Sequence, residues 1–135
     1  GSTAGHIGAQ WAWNLVSDQW SGTWVGDGSP DSYSRIDEGK LLKAVVLMTD
    51  GEFNTKYYGS GSPQQAIALC NAMKAKGVVV FSVGFGLGGN ADALNTLQTC
   101  ATPGDGYFAD TSNASELEQA FEKFAGKLTE LRLSK

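Results

Sequence analysis

Between His6 and Ser17 the apolar residues Ile7, Trp11 and Leu15 recur at every fourth position, and Ala12 and Val16 widen the stripe. That spacing predicts a largely buried helix. Residues 18 to 40 lose the rhythm: Ser, Gly and Asp dominate around Pro30, so a long polar loop or insertion is expected, pinned to the body by Trp20 and Trp24. The run Ala44-Val45-Val46-Leu47-Met48 is apolar without alternation, the pattern of a parallel strand covered on both faces. After a loop over 57–61, Ser62-Pro63-Gln64-Gln65 marks a helix start, with Ser62 as cap, Pro63 at the first helical position and Gln65 closing a capping box. Ala66, Ile67, Leu69, Cys70 and Met73 form its apolar side, and Lys76-Gly77 its stop.

Val78 to Phe85 reads as a second buried strand, followed by a short helix over 91–101 that Asn90 caps and that faces inward through Leu94 and Leu97. Tyr107-Phe108-Ala109 is a short third strand. Ser115-Glu116-Leu117-Glu118 offers another capping box, after which Leu117, Phe121, Phe124, Leu128 and Leu131 step along one face of a last helix.

Strands alternating with helices imply an α/β fold with a parallel sheet, because parallel neighbours need crossovers and right-handed crossovers lay helices over the sheet. The helices on either side of the middle strand then share a face. Cys70 and Cys100 lie on those two helices, so a disulfide between them is geometrically reasonable, with two reduced core thiols as the alternative. The strand at 43–48 is too apolar for an exposed edge. Either strands that precede residue 1 cover it, another copy pairs there, or the chain holds a strand that the pattern does not reveal.

The chain of 135 residues, 41% apolar and 18% charged, fits one packed unit over 1–135. A net charge of −4 argues against nucleic acid or an anionic membrane surface as the main partner and makes a cation the more natural guest. No apolar run approaches the length of a spanning helix, and the first residues lack the basic-then-apolar order of a signal peptide.

In an open parallel sheet, ligands bind beyond the carboxyl ends of the strands. Asp50 stands at such an end. Its carboxylate is a hard oxygen ligand suited to Mg²⁺, Mn²⁺ or Ca²⁺, and Gly51 lets the backbone turn close to a guest. The competing reading is an aspartate that merely caps a turn.

The segment Val46-Leu47-Met48-Thr49-Asp50-Gly51-Glu52-Phe53-Asn54 resembles the fourth strand and following loop of von Willebrand factor A domains, where a Thr-Asp-Gly sequence serves a metal-ion-dependent adhesion site. The preceding Thr3-Ala4-Gly5-His6 and helix, the Lys76 to Phe85 strand, Tyr107-Phe108 and the final amphipathic helix follow in the same order. The resemblance implies the C-terminal part of a doubly wound, Rossmann-like fold, with the first strands lying before residue 1. It implies Asp50 and Thr3 as metal residues, with Ser2 in place of Thr3 if the alignment slips by one. Glu52, Phe53, Asn54 and the loop to residue 61 would form the rim where a partner's carboxylate meets the ion. The family's Asp-x-Ser-x-Ser is not in this sequence. Asp27-Gly28-Ser29-Pro30-Asp31 is read as a solvated turn and not as its substitute. Two donors leave most of an octahedral shell to water, so binding of Mg²⁺, Mn²⁺ or Ca²⁺ by this segment is expected to be weak or absent.

Gly1 to Gly8, Trp11, Trp13 and the Leu131 to Lys135 ending are also similar to the C-terminal part of TadG-like proteins of tight-adherence (Flp) pilus assembly. That implies a bacterial envelope setting, periplasmic or extracellular, where oxidising conditions favour the Cys70–Cys100 bond. The leading reading is therefore a non-catalytic adhesion module. A metal-independent structural domain of the pilus machinery, making contacts through its sheet edge or Trp-bearing loop, is the second, and a metal-assisted hydrolase using Asp50 the third. His6 is read as a helix-start histidine bonded to backbone, Gly84 to Gly89 as a turn and not a dinucleotide loop, and the four tryptophans as core and loop anchors.

Overall fold

A computed structural model describes residues 2–55 and 59–134. Among them, three parallel strands form a sheet in the order β1-β2-β3: β1 is Ala44–Thr49, β2 Val79–Phe85 and β3 Phe108–Thr111. Ala44 lies opposite Val79 and Thr49 opposite Gly84, while Ser82 lies opposite Phe108. Around the sheet stand α1 (Gly5–Val16), the single turn α2 (Ser34–Asp37), α3 (Ser62–Ala75), α4 (Ala91–Cys100) and α5 (Ala114–Leu133). This is the α/β arrangement of a Rossmann-like domain.

Alternation along the strands divides the core in two. Val45, Leu47 and Val80 point to the face covered by α1, α3 and α4, where they meet Ala66, Cys70, Met73, Leu97 and Cys100. Phe81 and Val83 point to the other face, against Phe124 of α5 and Tyr107. Phe81 lies at the centre, 4.7 Å from the Phe124 ring and 5.4 Å from that of Tyr107. The two crossover helices share a face, and Cys70 and Cys100 are joined there as a fully buried disulfide.

Three expectations are corrected. Ile7, Trp11 and Leu15 are the outward stripe of α1, 42%, 51% and 56% exposed, while the inward stripe is His6, Ala9, Trp13 and Val16. Both stripes satisfy helical spacing, and the mixed outer face of a helix that carries no charge hid the choice. In β1, Val46 and Met48 are 43% and 45% exposed, so only one face of that strand is covered: α5 packs on β2 and β3 and leaves β1 bare. The helix caps also move. Gly61 stands at the N-cap of α3, and Ser62, within the helix, turns its hydroxyl to His6. For α5 the cap is Asn113, which accepts from the Glu116 N–H at 3.1 Å, while Glu116 reaches back to the Ser112 N–H at 2.7 Å. This is the reciprocal capping arrangement, placed two residues before Ser115.

The segment 18–40 holds short 3₁₀ turns at Asp18–Trp20 and Gly26–Gly28 before α2. Trp20 packs edge-on to Trp11 and stacks on Trp24. Lys43, just ahead of β1, is buried and ties this segment down: its ammonium donates to the carbonyls of Val16 and Asp31 and lies 4.6 Å from the Tyr33 ring centre.

Candidate functional site

β1 ends in Thr49, whose hydroxyl donates to the Gly51 carbonyl at 3.0 Å and accepts from the Gly51 N–H at 3.3 Å. This local bond turns the chain sharply and leaves Asp50 at the tip, exposed to solvent. Thr3 arrives beside the same turn. Its N–H donates to the Asn54 side chain at 2.8 Å, and its carbonyl accepts from the Thr55 N–H at 3.1 Å. The Thr3 hydroxyl oxygen lies 3.8 Å from where a β-carbon on Gly51 would stand. Residues 47 positions apart in sequence, Thr3 and Asp50, thus share the carboxyl end of the sheet.

The rest of the loop is held by neighbouring helices. Glu52 accepts from the Asn90 side chain, which also caps α4 by accepting from the Ala93 N–H at 3.1 Å. Phe53 is buried, a correction to its expected place at the rim. A β-carbon on Gly5 would lie 2.2 Å from the Phe53 ring, so the first turn of α1 sits directly on it and only glycine fits there. Glu52 and Asn54 remain on the surface side. Lys56, Tyr57 and Tyr58, part of the expected rim, lie outside the described residues.

His6 is buried and its Nδ1 is 2.8 Å from the Ser62 hydroxyl on α3. This pair joins α1 to α3. The Gly84 to Gly89 turn is filled from within: a β-carbon on Gly84 would meet Leu87 at 2.5 Å, and Gly86 adopts φ of 65° while its N–H donates to Thr111. Leu87, itself buried, occupies the space that a close backbone approach by a ligand would need.

Sequence reasoning missed Asn90, Ser62 and Gly5 as the residues that hold the loop and its flanking helices. Asn90 carried a signal, since a cap residue facing a strand end has a second side-chain atom to spend. Gly5 carried none, because its neighbour Phe53 is 48 positions away.

The family description "von Willebrand factor type A domain" matches residues 29–123. The chain belongs to the von Willebrand factor type A family. The matched span takes in all three strands, Asp50 and the first half of α5, and leaves Thr3 and α1 outside it. No curated protein and no solved structure gives a match. Type A domains are characteristically interaction modules, and the α/β architecture here is theirs. The donor set at the strand end fits a divalent cation only in part. Asp50 offers a carboxylate and Thr3 a hydroxyl, but Glu52 is engaged with Asn90 and Asn54 with Thr3. Among the described residues, no group of three or more His, Cys, Asp or Glu side chains is gathered where an ion would sit.

Proposed function

We propose that this type A domain is a non-catalytic adhesion module whose contact surface is the carboxyl end of the sheet. Asp50 and Thr3 there contribute two oxygen donors to a weakly held Mg²⁺, Mn²⁺ or Ca²⁺ ion. The observation that carries the reading is the pair of hydrogen bonds, Thr3 N–H to the Asn54 side chain and Thr55 N–H to the Thr3 carbonyl, which holds the threonine beside the Asp50 turn. An ion held by so few protein oxygens keeps most of its shell as water, and exchangeable positions are what a partner's carboxylate needs. Glu52 and Asn54 would border that contact. The likeness to TadG-like pilus assembly proteins supports a bacterial envelope setting, periplasmic or extracellular, as does the disulfide.

Titration with Mn²⁺ tests the site, because paramagnetic broadening reads weak binding and its location together. The expected result is selective loss of the amide signals of Thr3, Asp50 and Gly51, abolished by Asp50→Ala. Broadening elsewhere, or none at these residues, removes the metal from the reading. A metal-independent assembly role is the second reading, favoured by the bare edge and exposed face of β1.

A further inference from the structure

Just past the Asp50 turn, where α3 and α4 begin, lies a cavity of about 190 Å³. Phe53, Pro63 and Ile67 give it an apolar lining, while Glu52, Asp92 and Asn95 complete it with polar groups that reach solvent. Three elements contribute: the loop after β1, the start of α3 and the first turns of α4.

The lining is held in place before anything binds. Phe53 is buried against the first turn of α1, where Gly5 admits its ring, and Pro63 stands in the first turn of α3. Asn90 donates to Oε1 of Glu52 while its own side-chain oxygen caps α4, so Glu52 is tied to the same helix start that carries Asp92. Two carboxylates from different elements thus border one apolar recess. Neither has a cationic partner among the described residues, where the ion pairs are Arg35 with Asp31, Lys40 with Glu38 and Lys127 with Glu130.

Charge and shape decide the occupant. The starts of α3 and α4 each bring roughly half a positive charge, together about one, and two carboxylates outweigh it. An anion is repelled. A bare metal ion is poorly served, because Phe53, Pro63 and Ile67 offer it no side-chain oxygen. A lysine ammonium is compact and strongly hydrated, and gives up more water on entering an apolar recess. A guanidinium matches: it is weakly hydrated, stacks on aromatic faces and donates through five N–H groups to acceptors spread around its edge.

We propose that this cavity receives an arginine side chain of the protein partner whose carboxylate meets the strand-end ion. The inference rests on the reading of the carboxyl end of the sheet as a contact surface, and it names what that surface selects: a segment presenting an acidic side chain and an arginine close together. The guanidinium lies against Phe53 and Ile67 and donates to Glu52, Asp92 and Asn95. Oε1 of Glu52 keeps its bond to Asn90, and Oε2 accepts from the arginine.

Amide chemical-shift titration of the 135-residue chain with N-acetylarginine methylamide tests this, with the uncharged citrulline analogue of the same shape as control. Saturable shifts of millimolar affinity are expected at Glu52, Phe53, Asp92, Ala93 and Asn95, and none with citrulline. Asp92→Asn should weaken binding several-fold, and so should Glu52→Gln, which keeps an acceptor for Asn90. Both side chains are exposed, so neither change should unfold the chain. Asp92→Asn should leave the Mn²⁺ broadening at Thr3, Asp50 and Gly51 in place, so the two sites fail separately. Arginine shifts absent while that broadening persists overturn the cavity assignment and leave the metal reading standing. Arginine shifts without Mn²⁺ broadening uphold the cavity and remove the ion. An equal response to citrulline overturns the proposal, as does undiminished binding by the Asp92→Asn, Glu52→Gln double variant, or acetate shifting these amides where arginine does not.

Discussion

The two faces of the sheet are built on different plans. On one, α1, α3 and α4 lie side by side with only His6, Lys74 and Asp92 as titratable residues, and a buried disulfide joins the last two helices. On the other, α5 stands alone and carries seven charged residues: Glu116, Glu118, Glu122, Lys123, Lys127, Glu130 and Arg132. The first face spreads its packing over many small contacts and also positions the strand-end loop, through His6 with Ser62 and Glu52 with Asn90. The second concentrates its packing in one aromatic cluster of Phe81, Tyr107 and Phe124 and leaves β1 uncovered. The contrast shows that the strand-end rim is steadied by the crowded layer, while the sparse layer leaves part of the sheet uncovered.

The largest expected effect lies on the sparse face. Phe124→Ala removes the one large buried side chain of α5, which should cost about 3–5 kcal/mol. Hydrogen exchange should then show α5 opening before the rest of the molecule. Equal exposure of both layers would mean that α5 is not the separable element. Next, replacing Cys70 and Cys100 together by alanine should cost about 2–4 kcal/mol in urea unfolding, since the bond closes a loop over a sequence separation of 30. A loss confined to a few tenths would place the stability of that layer in its helix packing alone. Lys43→Met leaves the Val16 and Asp31 carbonyls without their donor and should cost roughly 1.5–3 kcal/mol, measured the same way, with the 18–40 segment becoming sensitive to protease.

The smallest effect is a dependence on pH at the start of α5. Hydrogen bonds from the Ser112 backbone N–H and hydroxyl hold the Glu116 carboxyl below its ordinary value of 4.5, against a small opposing effect of burial. A depressed carboxylate contributes stability that is present above the unfolded value and lost as pH falls through the folded one. Exchange protection at Ser112 and in the first turn of α5 should therefore decline as pH drops below about 4.5, and Glu116→Gln should flatten that decline. Lys74 on the crowded face shifts stability in the same direction for a different reason. Burial lowers its pKa, so the folded chain releases that proton first and stability rises as pH approaches 10.5 from the lowered value.

Strands and crossovers were legible because apolar runs bounded by glycine and polar turns leave few alternatives: Val79–Phe85 and the helix capped by Asn90 stand within a residue or so of expectation. Which face a helix buries was not. In α1 the choice between Ile7-Trp11-Leu15 and His6-Ala9-Trp13-Val16 was settled by partners distant in sequence, Ser62 for His6 and Tyr33 for Trp13. Coverage of β1 was misread for a related reason. A continuous apolar run states what a strand tolerates, not what is packed against it. At the candidate site, the pairing of Thr3 with Asp50 was an expectation from the family resemblance, whereas the inward turn of Phe53 depended on the lack of a side chain at Gly5.

Both sulfurs of the Cys70–Cys100 bond are sealed from solvent in the folded chain. An oxidant must therefore reach the thiols before α3 and α4 close over them, and a reductant acts only after those helices part. The speed at which a small reducing agent breaks the link is in consequence a clock for that parting, and the anchorage of the Asp50 loop should loosen on the same schedule.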